Sequence, residues 1–112
     1  MTVSITSHIL NGTDGSHAGG VSARLLERKS GKVLFQAQTD GGGRLSQSFE
    51  AGNCPLDCEL VFETAHYWNE RNVNDRSVIG EVVLRLTVST PEEKVHMPII
   101  ISPYSYSTWK SG

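Results

Sequence analysis

The chain has 112 residues, 38% hydrophobic and 20% charged, which suits one ordinary globular domain spanning 1–112 and leaves no apolar run long enough to cross a bilayer. Ten Lys plus Arg against twelve Asp plus Glu give a formal net charge of -2 with no basic block, which argues against nucleic acid as a partner. Met1-Thr2-Val3-Ser4 has neither the cationic start nor the apolar stretch of a secretory signal, so a cytoplasmic location is expected.

Period-two alternation recurs between turn signals along most of the chain, the pattern of short half-buried strands. Val3, Ile5 and Ile9 alternate in a first strand, with Ser7 on their face and Thr6, His8 and Leu10 on the other. Asn11-Gly12-Thr13 then reads as a turn. Val21, Ala23 and Leu25 form a second apolar face; Val33, Phe35 and Ala37 form a third, after the Ser30-Gly31 turn. Asp40-Gly41-Gly42-Gly43 leads into a fourth strand, Arg44 to Phe49. It lacks the Lys-Ser or Lys-Thr pair and the following helix of a phosphate loop. Ala51 to Pro55 breaks the chain before a fifth strand, Asp57 to Phe62, in which Cys58 shares a face with Leu60 and Phe62 as a small core hydrophobe. Cys54 and Cys58 lack the spacing of a structural zinc site and read as free thiols, so no metal is expected.

Glu63 to Arg71 does not alternate, and Thr64 stands where it can cap a short helix beginning at Ala65. Beyond it, Val82, Leu84, Leu86 and Val88 predict a strand, Pro91 to Lys94 a turn, and Val95 to Ile101 a return strand, together a long hairpin. Seven or eight short strands with one short helix predict an all-β fold, a two-sheet sandwich rather than a barrel.

His96 and Pro98 project from the face opposite Val95, Met97, Ile99 and Ile101, as His8 does from the first strand. One neutral imidazole can take a proton from water while another gives one to a leaving nitrogen, chemistry suited to amide or lactam hydrolysis near neutral pH. Arg44, at a strand start after a glycine turn, offers a planar fork of donors to a carbonyl-rich ring or to developing oxyanion charge. His17, in a glycine-rich loop, and His66, on the short helix, read as scaffold or surface residues. No matched nucleophile and base motif is present, so water is the expected nucleophile.

Three blocks in order resemble one family. Ser7-His8-Ile9-Leu10-Asn11 is similar to the S/T-H-V-L-D signature of 5-hydroxyisourate hydrolases. Thr39-Asp40-Gly41-Gly42-Gly43-Arg44 is similar to their T-D-x-x-G-R turn, and His96 through Thr108 to their H-x-P-L-L-L-S-P-Y-G-Y-S-T ending. The resemblance implies a transthyretin-like sandwich, a homotetramer with sites along a subunit interface, and hydrolytic opening of the 5-hydroxyisourate ring without metal or organic cofactor. It also implies that His8, Arg44 and His96 are the catalytic residues, and that Ser107, Trp109, Lys110 and Ser111 contact the small-molecule substrate.

The chain departs from that family at its end, where Trp109-Lys110-Ser111-Gly112 stands for Y-R-G-S, and at Asn11, which replaces an acidic residue close in sequence to His8. Tryptophan exchanges a phenol for a bulkier indole, lysine loses the bidentate fork, and the asparagine removes a charge able to orient an imidazole. Two alternatives therefore stand beside the hydrolase: an acid/base enzyme of the same fold acting on another carbonyl-bearing ring, and a non-catalytic small-molecule binding protein.

Overall fold

A computed structural model describes residues 2–71, 78–90 and 94–111. The alternating segments become β1 (Thr2–Asn11), β2 (Ser22–Glu27), β3 (Val33–Gln38), β4 (Arg44–Glu50), β5 (Leu56–Glu63) and β6 (Glu81–Val88). After them come β7 (Lys94–His96), β8 (Ile99–Ile101) and β9 (Tyr106–Thr108), with one helix, α1 (Ala65–Glu70), after β5. One sheet runs β4-β1-β8-β9, with β7 also on β1; the other runs β3-β2-β5-β6. Among the described residues, the expected two-sheet sandwich with a single short helix is what forms.

The core is built from the alternation. Val3, Ile5, Ile9, Val95, Ile99 and Ile101 of the first sheet meet Ala23, Leu25, Leu60, Phe62, Val82 and Val88 of the second in one buried cluster. Burying a side chain of this size contributes about 1.5–3 kcal/mol. Cys58 joins them, fully buried as expected, and neither cysteine is in a disulfide.

Three local expectations are corrected. The segments 82–88 and 95–101 do not form a hairpin: β6 pairs with β5 in one sheet, whereas β7 and β8 pair in parallel with β1 in the other. With β6 in one sheet and β7 in the other, the chain crosses between sheets here; of the expected turn at 91–94, residues 91–93 lie outside the described residues and Lys94 begins β7. On β3, register slips between Leu25 and Leu26, so Leu26 faces Val33 and Leu34 is the extra residue. Phe35 stays buried, but Val33 turns half exposed and Leu34 packs against the core in its place. At the helix, Thr64 occupies the cap position without a capping bond; its hydroxyl donates to the Ile79 carbonyl at 3.1 Å.

The expected seventh strand, 95–101, is divided at Pro98, which has no N–H for the ladder. β7 and β8 nevertheless keep one register along β1, Thr6 facing His96 and Leu10 facing Ile100, with the Met97 N–H donating to the Thr6 carbonyl at 2.9 Å. β9, not anticipated from the sequence, closes this edge by pairing with β8. The outward face of the β4-β1-β8-β9 sheet thus carries the even-numbered residues of β1, β4, β7 and β8.

Candidate active site

Both histidines and the arginine singled out by the sequence come together on that outward face. β1 and β4 place His8 directly opposite Arg44, and two residues along β1, Thr6 faces Ser46 on one side and His96 on the other. Strand spacing puts the His8 and His96 backbones about 8 Å apart on the diagonal, room for a small planar ring between their side chains. The opposite sheet has a different outer face, crossed by exposed ion pairs: Arg24 with Glu81, and Glu59 with Arg28 and Arg85. Such pairs contribute little individually and offer no imidazole.

Arg44 is presented by a tightly built turn. Gly43 has φ +74°, and a Cβ there would run into the Ile9 carbonyl, so only glycine lets β4 dock with its first residue opposite His8. Docking is sealed by the Ile9 N–H donating to the Gly43 carbonyl at 2.7 Å. The Asp40 carboxylate accepts from the N–H groups of Gly42 at 2.9 Å and Arg44 at 3.0 Å. Those bonds, with that to the Arg44 N–H the foremost cause, hold the Asp40 carboxyl below its ordinary pKa.

Each imidazole has a defined partner. His96 Nδ1 lies 2.7 Å from the Thr6 hydroxyl, its cross-strand neighbour. His8 Nε2 lies 2.9 Å from Nδ1 of His17, and the two rings are near parallel, 19° apart with centroids 5.0 Å apart. Partial burial first, then the Arg44 guanidinium, keeps the His8 pKa below 6.5; the Gly42 carbonyl acts in the opposite sense, and His17 and His96 lower it further. A neutral imidazole beside a fixed cation is suited to accept a proton.

His17 is the residue that the sequence reading set aside. No spacing signal marks it: the loop after β1 doubles back, with the Asn11 N–H on the Ser16 carbonyl at 2.8 Å and the Ala18 N–H on the Ile9 carbonyl at 2.9 Å. His17 therefore bridges Leu10 on the β4 side of β1, just beyond Arg44. His66, by contrast, is an exposed helix residue 2.8 Å from Glu70 one turn on.

The tail also reaches this face. Ile99 faces Thr108, and His96 forms a bridge with Ser111, whose N–H donates to the His96 carbonyl at 2.9 Å. The two pairings share one register, so Trp109 falls opposite Pro98, in the row that holds Arg44 and His8. Ser107, an exposed residue, faces Ile100 one row away. Alternation sends Lys110, opposite Met97, to the other side from His96 and Trp109. Trp109 is 46% exposed, an indole left at the rim of a polar surface. Gly112 lies outside the described residues.

Asn11 does not act on His8. It ends the core-facing row of β1, 2% exposed, donating to the Tyr67 hydroxyl at 3.1 Å and accepting at Oδ1 from both the N–H and hydroxyl of Thr13. A surface cleft lined by Glu27, Arg28, Asn53 and Asp57, among others, lies past the far end of β4. It is about 20 Å from Arg44 by strand rise and gathers no histidine.

Comparison with known proteins bears on the family and the fold. A family model described as the HIUase/Transthyretin family matches residues 5–111. A 5-hydroxyisourate hydrolase of Pseudomonas aeruginosa is 30% identical, over 96% of this chain and 90% of that protein. The structure of Klebsiella pneumoniae 5-hydroxyisourate hydrolase superposes with a TM-score of 0.80 at 26% identity, covering 98% of this chain and 99% of that one. Transthyretin from Sparus aurata gives a TM-score of 0.81 at 17% identity, over 96% of this chain and 95% of that one, a likeness of fold alone.

Proposed function

Because the chain belongs to the HIUase/Transthyretin family, we propose that it is a hydrolase that opens the ring of 5-hydroxyisourate, a cytoplasmic step of urate breakdown. The observation that carries this reading is the juxtaposition of Arg44, His8 and His96 on one sheet face, set by the pairings of His8 with Arg44 and Thr6 with His96.

In the proposed reaction, the neutral His8 ring takes a proton from water as its oxygen attacks a ring carbonyl carbon. Arg44 gives its paired N–H donors to the carbonyl oxygens and to the negative charge that develops on attack. The C–N bond then breaks, and the leaving nitrogen receives a proton from His96, which takes in exchange the proton that His8 took from water, so that both rings return to their starting forms. In the tautomer whose Nδ1 accepts from the Thr6 hydroxyl, the His96 ring proton sits on Nε2, the nitrogen free to face the substrate. Ser107, Trp109 and Ser111 line the rim, and Lys110 adds positive charge at the edge. The exposed face is covered in a homotetramer, whose neighbouring subunits exclude water from the site.

The test is the ultraviolet decay of 5-hydroxyisourate against its spontaneous background, with sedimentation at micromolar concentration beside it. Enzyme-dependent acceleration and the mass of four 12.2 kDa chains are expected. Decay at the background rate would overturn the substrate, and a clean monomer the interfacial site. A second reading, acid/base hydrolysis of another carbonyl-bearing ring, is favoured by Trp109 alone, since this indole stands in the His8 row where the family ending has tyrosine.

A further inference from the structure

A third histidine stands in contact with the proposed base. We propose that His17 is a positioning residue for His8: its imidazole hydrogen-bonds to and lies parallel with that ring, fixing its rotamer and leaving space for one proton between the two facing nitrogens. The inference rests on the hydrolase reading, since it assigns to His17 an effect on the base of that reaction.

The geometry carries it. His8 Nε2 and His17 Nδ1 are 2.9 Å apart, so one ring donates and the other accepts; two N–H groups cannot point at each other across that distance. Protonating both rings would break the contact, and the His17 ring accordingly acts to lower the His8 pKa. His17 is itself held by backbone bonds on either side of it, Asn11 to Ser16 and Ala18 to Ile9, so its ring is delivered by the loop and not by a flexible tether. Without this partner, an imidazole on an open sheet face would sample several rotamers, and only some would point at a substrate held by Arg44.

The other groups facing His8 act on it differently. Arg44 from β4 and His96 from β7 act through charge, the Gly42 carbonyl accepts a hydrogen bond from the ring and favours its protonated form, and Asp40 of the same turn feels its charge in return. His17 is the neighbour whose ring nitrogen meets a His8 ring nitrogen directly.

His17→Ala tests the assignment, because it keeps the backbone bonds of the loop and removes only the ring. Two quantities are followed from pH 5 to 8: kcat/KM for 5-hydroxyisourate, and the His8 imidazole resonance by NMR. The expected result is a His8 midpoint and an acid limb of kcat/KM that move to higher pH together. On the acid side kcat/KM should fall roughly three- to tenfold, the consequence of a displacement of about half to one pH unit. KM should change little and kcat carry the loss. His17→Gln, which returns an amide able to donate or accept without a titrating ring, is expected to bring the limb back toward wild type. A His8 midpoint that stays in place or moves down in His17→Ala would overturn the proposal. Should the wild type not hydrolyse 5-hydroxyisourate at all, the hydrolase reading falls on that result, while the NMR titration still decides whether His17 controls His8.

Discussion

The amide of Asn11 donates to the hydroxyl of Tyr67 at 3.1 Å, inside the sandwich, on the opposite side of β1 from His8. Tyr67 belongs to α1, where it meets Trp68 edge to face and lies under the Arg71 guanidinium, 3.6 Å from the ring centre. Asn11 thus ties the end of the strand that carries His8 to the helix packed behind it, a structural duty and not an electrostatic one.

Asn11→Ala should therefore reduce stability while sparing the chemistry. It strips a buried hydroxyl and the Thr13 turn of their partner, a cost of about 1–3 kcal/mol. Urea unfolding should show the loss, and the pH dependence of kcat/KM should not move. A displaced acid limb with unchanged stability would contradict this division of roles.

Removing either proposed acid/base group should cost far more turnover. For His8→Ala and His96→Ala the expected loss in kcat is about 10²–10⁴-fold, the range for a positioned acid or base. Because the folded His8 pKa lies below 6.5, the wild-type acid limb should fall below pH 6.5. The same shift means that the unfolded chain binds the proton more readily. His8 thus makes stability decline as pH falls from 6.5 through its folded value, and has no effect at higher pH. Full activity in both alanine variants would remove the site assignment.

At the tail, the register separates two substitutions that the sequence presents together. Trp109→Tyr changes the row that contains His8 and Arg44, so it should reproduce most of any change in 5-hydroxyisourate hydrolysis seen on restoring Tyr-Arg-Gly-Ser at 109–112. If the pocket has diverged, that change is a rise of at least roughly tenfold, the effect of about 1.4 kcal/mol in the transition state. Lys110→Arg alone should leave kcat/KM within about twofold, since alternation directs it away from His96. A large effect from Lys110→Arg and none from Trp109→Tyr would reverse the assignment.

The turn before Arg44 can be probed through Asp40. Asp40→Asn keeps an oxygen for the Gly42 and Arg44 N–H groups and should keep most activity; Asp40→Ala frees the arginine and should lower kcat/KM roughly ten- to a hundredfold. Since the folded Asp40 pKa lies below 3.8, its contribution to stability is present above that pH and is lost as pH falls through the folded value. Thermal melts from pH 2 to 5 should show the wild type losing more on acidification than Asp40→Ala.

Thiol chemistry offers a check on the core. Burial pushes the Cys58 thiol up to about 11, and its side chain is fully enclosed, whereas Cys54 is partly exposed. Iodoacetamide at pH 8 should add one group per native chain, at Cys54, and two in denaturant. Modification of Cys58 in the native protein would show that the sandwich opens readily at β5.

The sequence by itself determined the faces. Alternation of apolar residues assigns Val3, Ile5 and Ile9 inward and His8 outward, and Val95, Met97, Ile99 and Ile101 inward with His96 outward, because a strand's side chains must alternate whichever strand lies beside it. The turn glycines before Arg44 and the three family blocks were legible on the same terms. Tertiary structure alone decided the neighbours. Nothing local to 82–101 reveals that its two halves join different sheets, since parallel pairing with β1 leaves no turn signal between partners. Asn11 reads as a neighbour of His8 until the strand's parity turns it inward to Tyr67, and Trp109 and Lys110 separate only when the bridge from His96 to Ser111 sets the register of the tail. His17 shows the limit most clearly. Nine residues after His8 and without periodicity of its own, it reaches that ring only because backbone hydrogen bonds fold its loop back along β1, and such bonds carry no side-chain pattern to read in advance.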